Sequence, residues 1–136
     1  MSALTAPRNT PQRVGEIFAF PVAANTTVHQ GGLVVLDAGY AAPGSTATGL
    51  IAVGRAEGSA TAVSAGDAQV EVRRGTFKFA NSGAGDAIAQ ADVGADCYIV
   101  DDQTVAKTNG TNTRSRAGQV VAVDADGVWV QIGLGV

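Results

Sequence analysis

The sequence predicts an all-β fold: a compact small β-barrel or sandwich with an extended N-terminal arm and at most one short helix. Three observations predict it. Short runs rich in Val, Ile and Phe alternate with Gly, Asn, Asp and Ser, which is the texture of strands and tight turns. Glycine occurs 18 times in 136 residues, roughly double its average use. No window carries the three-to-four-residue apolar spacing of a long amphipathic helix. Many short strands with hardly any helix belong to barrels and sandwiches.

Residues 1–13 hold Pro7, Pro11, Arg8 and Arg13 and no acid. Proline lacks an amide N–H and pushes its predecessor out of the helical region, so this stretch reads as an extended arm. Residues 14–136 then form a single β-rich domain. In 16–22, Phe18, Phe20 and Val22 share a face by period-two alternation and are expected in the core, while Pro21 places the run at an edge or a bulge. Residues 33–36 are continuously apolar, as in a strand covered on both sides, and Asp37-Ala38-Gly39 closes the run with a turn. Residues 50–57 read as another strand, with Ile51 and Val53 facing one way.

The stretch 69–81 contains a phase break. Val70 and Val72 occupy even positions and Phe77 and Phe79 odd ones, so one regular strand would send the pairs to opposite faces. A bulge or tight bend at Arg74-Gly75, with Gly75 at positive φ, resets the register. Residues 84–93 hold the only plausible helical turn, ended by Gly94. Residues 97–100 and 104–106 flank Asp101-Asp102-Gln103 as one hairpin. Residues 119–123 and 128–132 flank the turn at 124–127 as another. The segment 107–116, KTNGTNTRSR, reads as a polar, flexible linker.

Net charge is −3 with an isoelectric point near 4.9, so the chain lacks the basic field that neutralises phosphates, and no nucleic-acid partner is expected. At 46% hydrophobic it is too apolar for disorder, and no run approaches the roughly 18 apolar residues that cross a bilayer, so no membrane partner is expected either. The single cysteine and the absence of an apolar leader point to folding in a reducing cytoplasm. Lys78 and Lys107 are the only lysines. So few lysines suit a surface that faces other proteins.

Chemistry has little to work with. His29 reads as a solvated loop residue and Cys97 as a small buried hydrophobe, and one His with one Cys makes no zinc cluster. Asp124-Ala125-Asp126-Gly127 lacks the further acids of a calcium loop and reads as a hairpin turn; Asp101 and Asp102 carry no better metal signal. Asn81-Ser82-Gly83-Ala84-Gly85 precedes Asp86 where a phosphate cradle wants a lysine. No catalytic residue, metal or cofactor is assigned, and the chain is not expected to be an enzyme. Two features point to protein contacts instead. Trp129 lies on the opposite face from Val128, Val130 and Ile132, as an interface anchor or as a second core. Arg73 and Arg74 are adjacent in a strand and point to opposite sides.

The stretches RNTPQRVGEIFAFPVAA, GGLVVLDAGYAAPGSTATGLIAVGRAE, VEVRRGTFKFANS and GADCYIVDDQTVAKTNGTNTRSRAGQVVAVDADGVWVQI, in that order, carry a further signal. Across residues 8–132 the chain resembles the head decoration, minor capsid or capsid cement proteins of tailed phages and Mu-like prophages. The resemblance implies a structural virion protein on the outer surface of an icosahedral capsid, made in the host bacterial cytoplasm. Its implied partners are the major capsid protein, whose subunits it bridges, and itself, as a homotrimer on the shell. Pro7, Arg8, Asn9 and Arg13 are then the arm contacts, Arg73 or Arg74 polar rim contacts, and Trp129 the apolar anchor. Two alternatives stand beside it: a low-copy tail or head–tail connector component, and a carbohydrate-binding β-sandwich using Trp129, Tyr40 or Tyr98 as platform.

Overall fold

The computed structural model describes residues 2–12 and 15–135. Among them are the strands β1 (Ile17–Pro21), β2 (Thr26–Val28), β3 (Leu33–Asp37), β4 (Tyr40–Pro43), β5 (Ile51–Ala56) and β6 (Ala60–Ala62). The second half adds β7 (Gln69–Arg73), β8 (Gly75–Asn81), β9 (Asp96–Ile99), β10 (Thr104–Ala106), β11 (Arg116–Asp124) and β12 (Gly127–Ile132). Helical structure is confined to two 3-10 turns, Ala84–Asp86 and Gln90–Asp92, and Gly94 follows at φ +92°. The protein is therefore all-β. Among the described residues no helix is long and apolar enough to cross a membrane.

Two strand assemblies share the chain. The first is a five-stranded sheet in the order β1-β7-β5-β3-β4; the second is a closed barrel in the order β10-β8-β12-β11-β9, with β2 and β6 paired beside them. All pairings are antiparallel except β10 with β8 and the single bridge Val22 to Ala41. β1 is an edge strand, which is where Pro21 can sit without breaking a ladder.

β3 explains how the assemblies join. Its apolar run has no polar face because each face meets a different core: Leu33 and Val35 pack with Ile99, Val128 and Ile132 inside the barrel, whereas Val34 packs with Val22, Val53 and Val72 on the sheet. Leu33, Val34 and Val35 are fully buried, and burial of a side chain of this kind contributes about 1.5–3 kcal/mol. Asp37 and Tyr40 close the β3–β4 hairpin with Ala38 and Gly39 both at positive φ, the twist-matched two-residue turn.

The phase break in 69–81 marks the crossing between the two assemblies. Val70 and Val72 belong to the sheet core, Phe79 to the barrel core with Phe77 packed against it, and Gly75 sits at φ +157° where the chain passes from β7 to β8. Both predicted hairpins form, β9 with β10 and β11 with β12. Phe20 packs on the sheet core and Val22 is inside it, with Phe18 half-buried on the same face.

Two expectations need correction. Ile51 is 54% exposed and Val53 3%. The register shifts between Val34 and Val35, leaving Val53 as an extra residue, so strict alternation does not run through β5. Residues 107–116 are also not a loose linker. Asn109 O accepts from the N–H groups of Thr113 and Arg114, Arg114 donates to Thr108 O and to Asp86, and Gly110, Thr111 and Asn112 are all left-handed. Buried Ser115 ends the loop, donating from Oγ to Ala47 O and accepting from Leu50 N–H. A left-handed non-glycine residue costs about 1–2 kcal/mol, so these bonds are what hold the turn.

Candidate functional site

The arm comes first in the chain. Residues 2–12, which include Pro7, Arg8 and Asn9, form no strand and are exposed, with Leu4 70% exposed. Arg13, the fourth predicted arm contact, lies outside the described residues.

Trp129 and Arg73 are brought together. A groove of ≈ 460 Å³ runs where β5 and β7 meet β8 and β12, and its lining includes Arg55, Arg73, Phe77, Lys78 and Trp129 but no carboxylate. On β12, alternation sends Val128, Val130 and Ile132 into the barrel and leaves Trp129 outside, 36% exposed. Trp129 pairs across the ladder with Lys78, whose ammonium lies 5.8 Å from the indole centroid. The indole Nε1–H donates to Asp124 Oδ2 at 2.7 Å, which fixes the ring. Lys78 in turn donates to Asp126 and lies 3.4 Å from Asp124. The hydrogen bond to Asp126 raises the lysine pKa above its ordinary value, so its charge is secure.

The other wall is built from two arginines. Register places Arg55 on β5 directly opposite Arg73 on β7, and like charges facing each other across a ladder repel. Glu57 relieves this. Its Oε1 accepts from Arg55 Nη2 at 2.7 Å and Arg73 Nε at 3.2 Å, while Glu16 Oε2 accepts from Arg73 Nη1 at 3.0 Å. The Arg55 hydrogen bond, with the charges of both arginines, holds the Glu57 carboxyl below its ordinary value. Side chains this exposed gain little from each pair, so the network mainly orients. The Arg55 guanidinium also stacks 4.4 Å over Phe77.

Arg74 goes to the other side, as alternation requires. Its Nη1 donates to Leu134 O at 3.2 Å and its guanidinium lies 5.9 Å from the Phe18 ring, so it ties the C-terminal segment to β1. Arg55, Phe77, Lys78 and Glu57 are not among the contact residues expected from the sequence. The parity of Lys78 against Phe77 and Phe79 marks it as outward-facing, but its pairing with Trp129 is a long-range fact.

His29 is exposed in the loop between β2 and β3. Cys97 is buried in the barrel, and burial pushes its thiol up to about 12. Asp124 ends β11, Asp126 lies in the β11–β12 turn, and both face Lys78. Asp101 Oδ1 accepts from Gln103 N–H within its own hairpin turn, and the Asn81 side chain clasps the backbone of Ile88 from both sides. Among the described residues no group of three or more His, Cys, Asp or Glu side chains is placed to hold a metal ion. Neither Tyr40 nor Tyr98 lines the Trp129 groove. Comparison of the chain with protein-family models, with curated proteins and with solved structures finds no match.

Proposed function

We propose that this chain is a structural virion protein that decorates and stabilises the outside of an icosahedral phage capsid by bridging major capsid subunits, as trimers on the shell. The resemblance of residues 8–132 to capsid cement proteins motivates the reading. The observation that carries it is the pairing of an exposed, strandless arm at residues 2–12 with an Arg- and Trp-lined groove on a closed all-β body. An arm that orders on docking wraps a neighbouring subunit, and the ordering entropy it loses is recovered through the contacts of the body. Each bound copy lowers the free energy of the assembled shell alone, and many copies add.

The test is the stoichiometry of this chain against the major capsid protein in purified particles, by quantitative mass spectrometry. A ratio near one to one is expected. A few copies per particle would move the protein to the tail or head–tail connector, and absence from particles would discard a virion role.

A further inference from the structure

We infer that the groove between β5/β7 and β8/β12 is a docking site for a short acidic peptide segment of a partner protein. Its carboxylates would meet Arg55, Arg73 and Lys78, and an apolar side chain would lie against Phe77 and Trp129. The inference deepens the decoration reading and rests on it for the identity of the partner as a capsid subunit; the chemistry of the site stands by itself.

Unfilled donors set the class of ligand. Three cations from three different strands line the groove and no carboxylate does. The acids that hold these cations, Glu16, Glu57, Asp124 and Asp126, do not line it. They use only part of the donor capacity. A guanidinium carries five N–H donors, and among the described residues Arg55 hydrogen-bonds only through Nη2 and Arg73 only through Nε and Nη1. Arg55 Nη1 and Arg73 Nη2 are left for an incoming carboxylate, the partner that matches the guanidinium fork.

Order sets the strength. Arg55 is held by Glu57 and by stacking on Phe77, and Trp129 by Asp124, so little side-chain freedom is left to lose when a ligand arrives. Aromatic and arginine side chains fixed in one concave patch are the composition of an interface anchor. The groove, at ≈ 460 Å³, exceeds what one carboxylate fills and accommodates several side chains. A nucleic acid fits less well. On a chain of net charge −3 there is no extended basic surface along which a continuous phosphate backbone could run beyond the groove, whereas a short peptide needs only the groove itself.

Trp129 is the only tryptophan, so its emission reports the groove directly. The full chain is titrated with acetyl-Glu-Glu-Leu-Glu-Glu-amide, with the same peptide carrying Gln for Glu, and with a short oligothymidylate. The expected result is a saturable change in emission with the Glu peptide only, weakening about tenfold between low and physiological salt as screened ion pairs do. Arg73→Gln and Lys78→Gln are each expected to weaken it about fivefold, with circular dichroism and thermal midpoint confirming that both variants fold. The absence of a saturable response, an equal response to the Gln peptide, or preferential binding of the oligonucleotide overturns the proposal. If the peptide fails while particles carry the chain near one to one, the groove assignment falls and the decoration reading stands. If the peptide binds and particles lack the chain, the groove assignment stands and the decoration reading falls.

Discussion

The barrel and the sheet solve the same problem differently. The barrel has no edge: β10-β8-β12-β11-β9 closes on itself, and its inward positions are filled by Ile99, Val105, Val128, Val130 and Ile132. The sheet keeps β1 and β4 as edges, linked among the described residues by the bridge from Val22 to Ala41, and β1 is the strand that follows the arm. Closure removes the unpaired backbone that invites other chains, and an open sheet retains it. Neither half makes the groove alone. Arg55 and Arg73 come from the sheet, Phe77, Lys78 and Trp129 from the barrel, and β3 holds both in place by burying one face in each core. The two halves therefore divide the labour: inward residues hold the body together, and outward residues at the junction line the groove proposed for contact.

The largest effect comes from forcing a side chain between strands that touch. A Cβ on Gly118 in β11 would lie 2.1 Å from Gln131 O, and one on Gly54 in β5, at φ +146°, would lie 2.2 Å from Arg73 O. Each neighbour is a backbone carbonyl and cannot rotate aside. Gly118→Ala opens the barrel and Gly54→Ala opens the sheet, each at a cost of about 3 kcal/mol or more. Thermal denaturation followed by circular dichroism checks both, and a midpoint within a few degrees of wild type would contradict the packing.

Leu33→Ala comes next, at about 2–5 kcal/mol, because it removes the larger of the two side chains that the shared strand packs into the barrel. Val34→Ala removes less volume from the sheet side. The comparison predicts that each variant shifts a single calorimetric transition, since β3 serves both cores. Two separated transitions would mean that the halves fold independently and that the groove is not built on one rigid body.

Much of this architecture was legible in local pattern. The alternation of 128–132 put Trp129 on the face opposite the valines, the unbroken run 33–36 announced two covered faces, Pro21 announced an edge or a bulge, and the change of parity in 69–81 announced a break at Arg74-Gly75. What was not legible is pairing at long range. Nothing near Arg55 says that Arg73 will face it, or that Glu57 will bind both, because that follows from the β5–β7 register. Lys78 looks like any solvated lysine until β8 lies beside β12. The polar stretch 107–116 looks flexible by composition, yet Asp86, more than twenty residues earlier, accepts from both Thr108 and Arg114 and fixes it.

Acid distinguishes the two halves more gently. Glu57 is held below its ordinary value of 4.5 by Arg55 and Arg73 at the sheet's junction, and Asp86 below 3.8 by the Thr108 hydroxyl and Arg114 at the barrel's loop. A carboxyl depressed in the folded state adds stability that is present above its unfolded pKa and lost as pH falls through the folded one. Stability is expected to be level from about pH 5 to neutral pH and to decline below 4.5, Glu57 first and Asp86 and Asp126 further down. In Glu57→Gln the upper part of that decline should disappear while the lower part remains. An unchanged profile in urea melts across this range would remove Glu57 from the network's stabilising role.

The smallest effect on the fold should come from the segment with the largest proposed role in contact. Residues 2–12 are exposed and without a strand, and no hydrogen bond or ion pair among the described residues joins Arg8 to the body. Deleting residues 2–13 is therefore expected to leave the thermal midpoint within about 2 °C of wild type, since surface changes away from such contacts stay within roughly 0.5 kcal/mol. The same deletion should sharply reduce loading on particles, because the body's groove alone then has to supply the binding. A truncated chain that loads as well as the full one would move contact entirely to the groove. A truncated chain that melts much lower would mean that the arm belongs to the body and that the division between a stable interior and an exposed contact surface begins further along the chain.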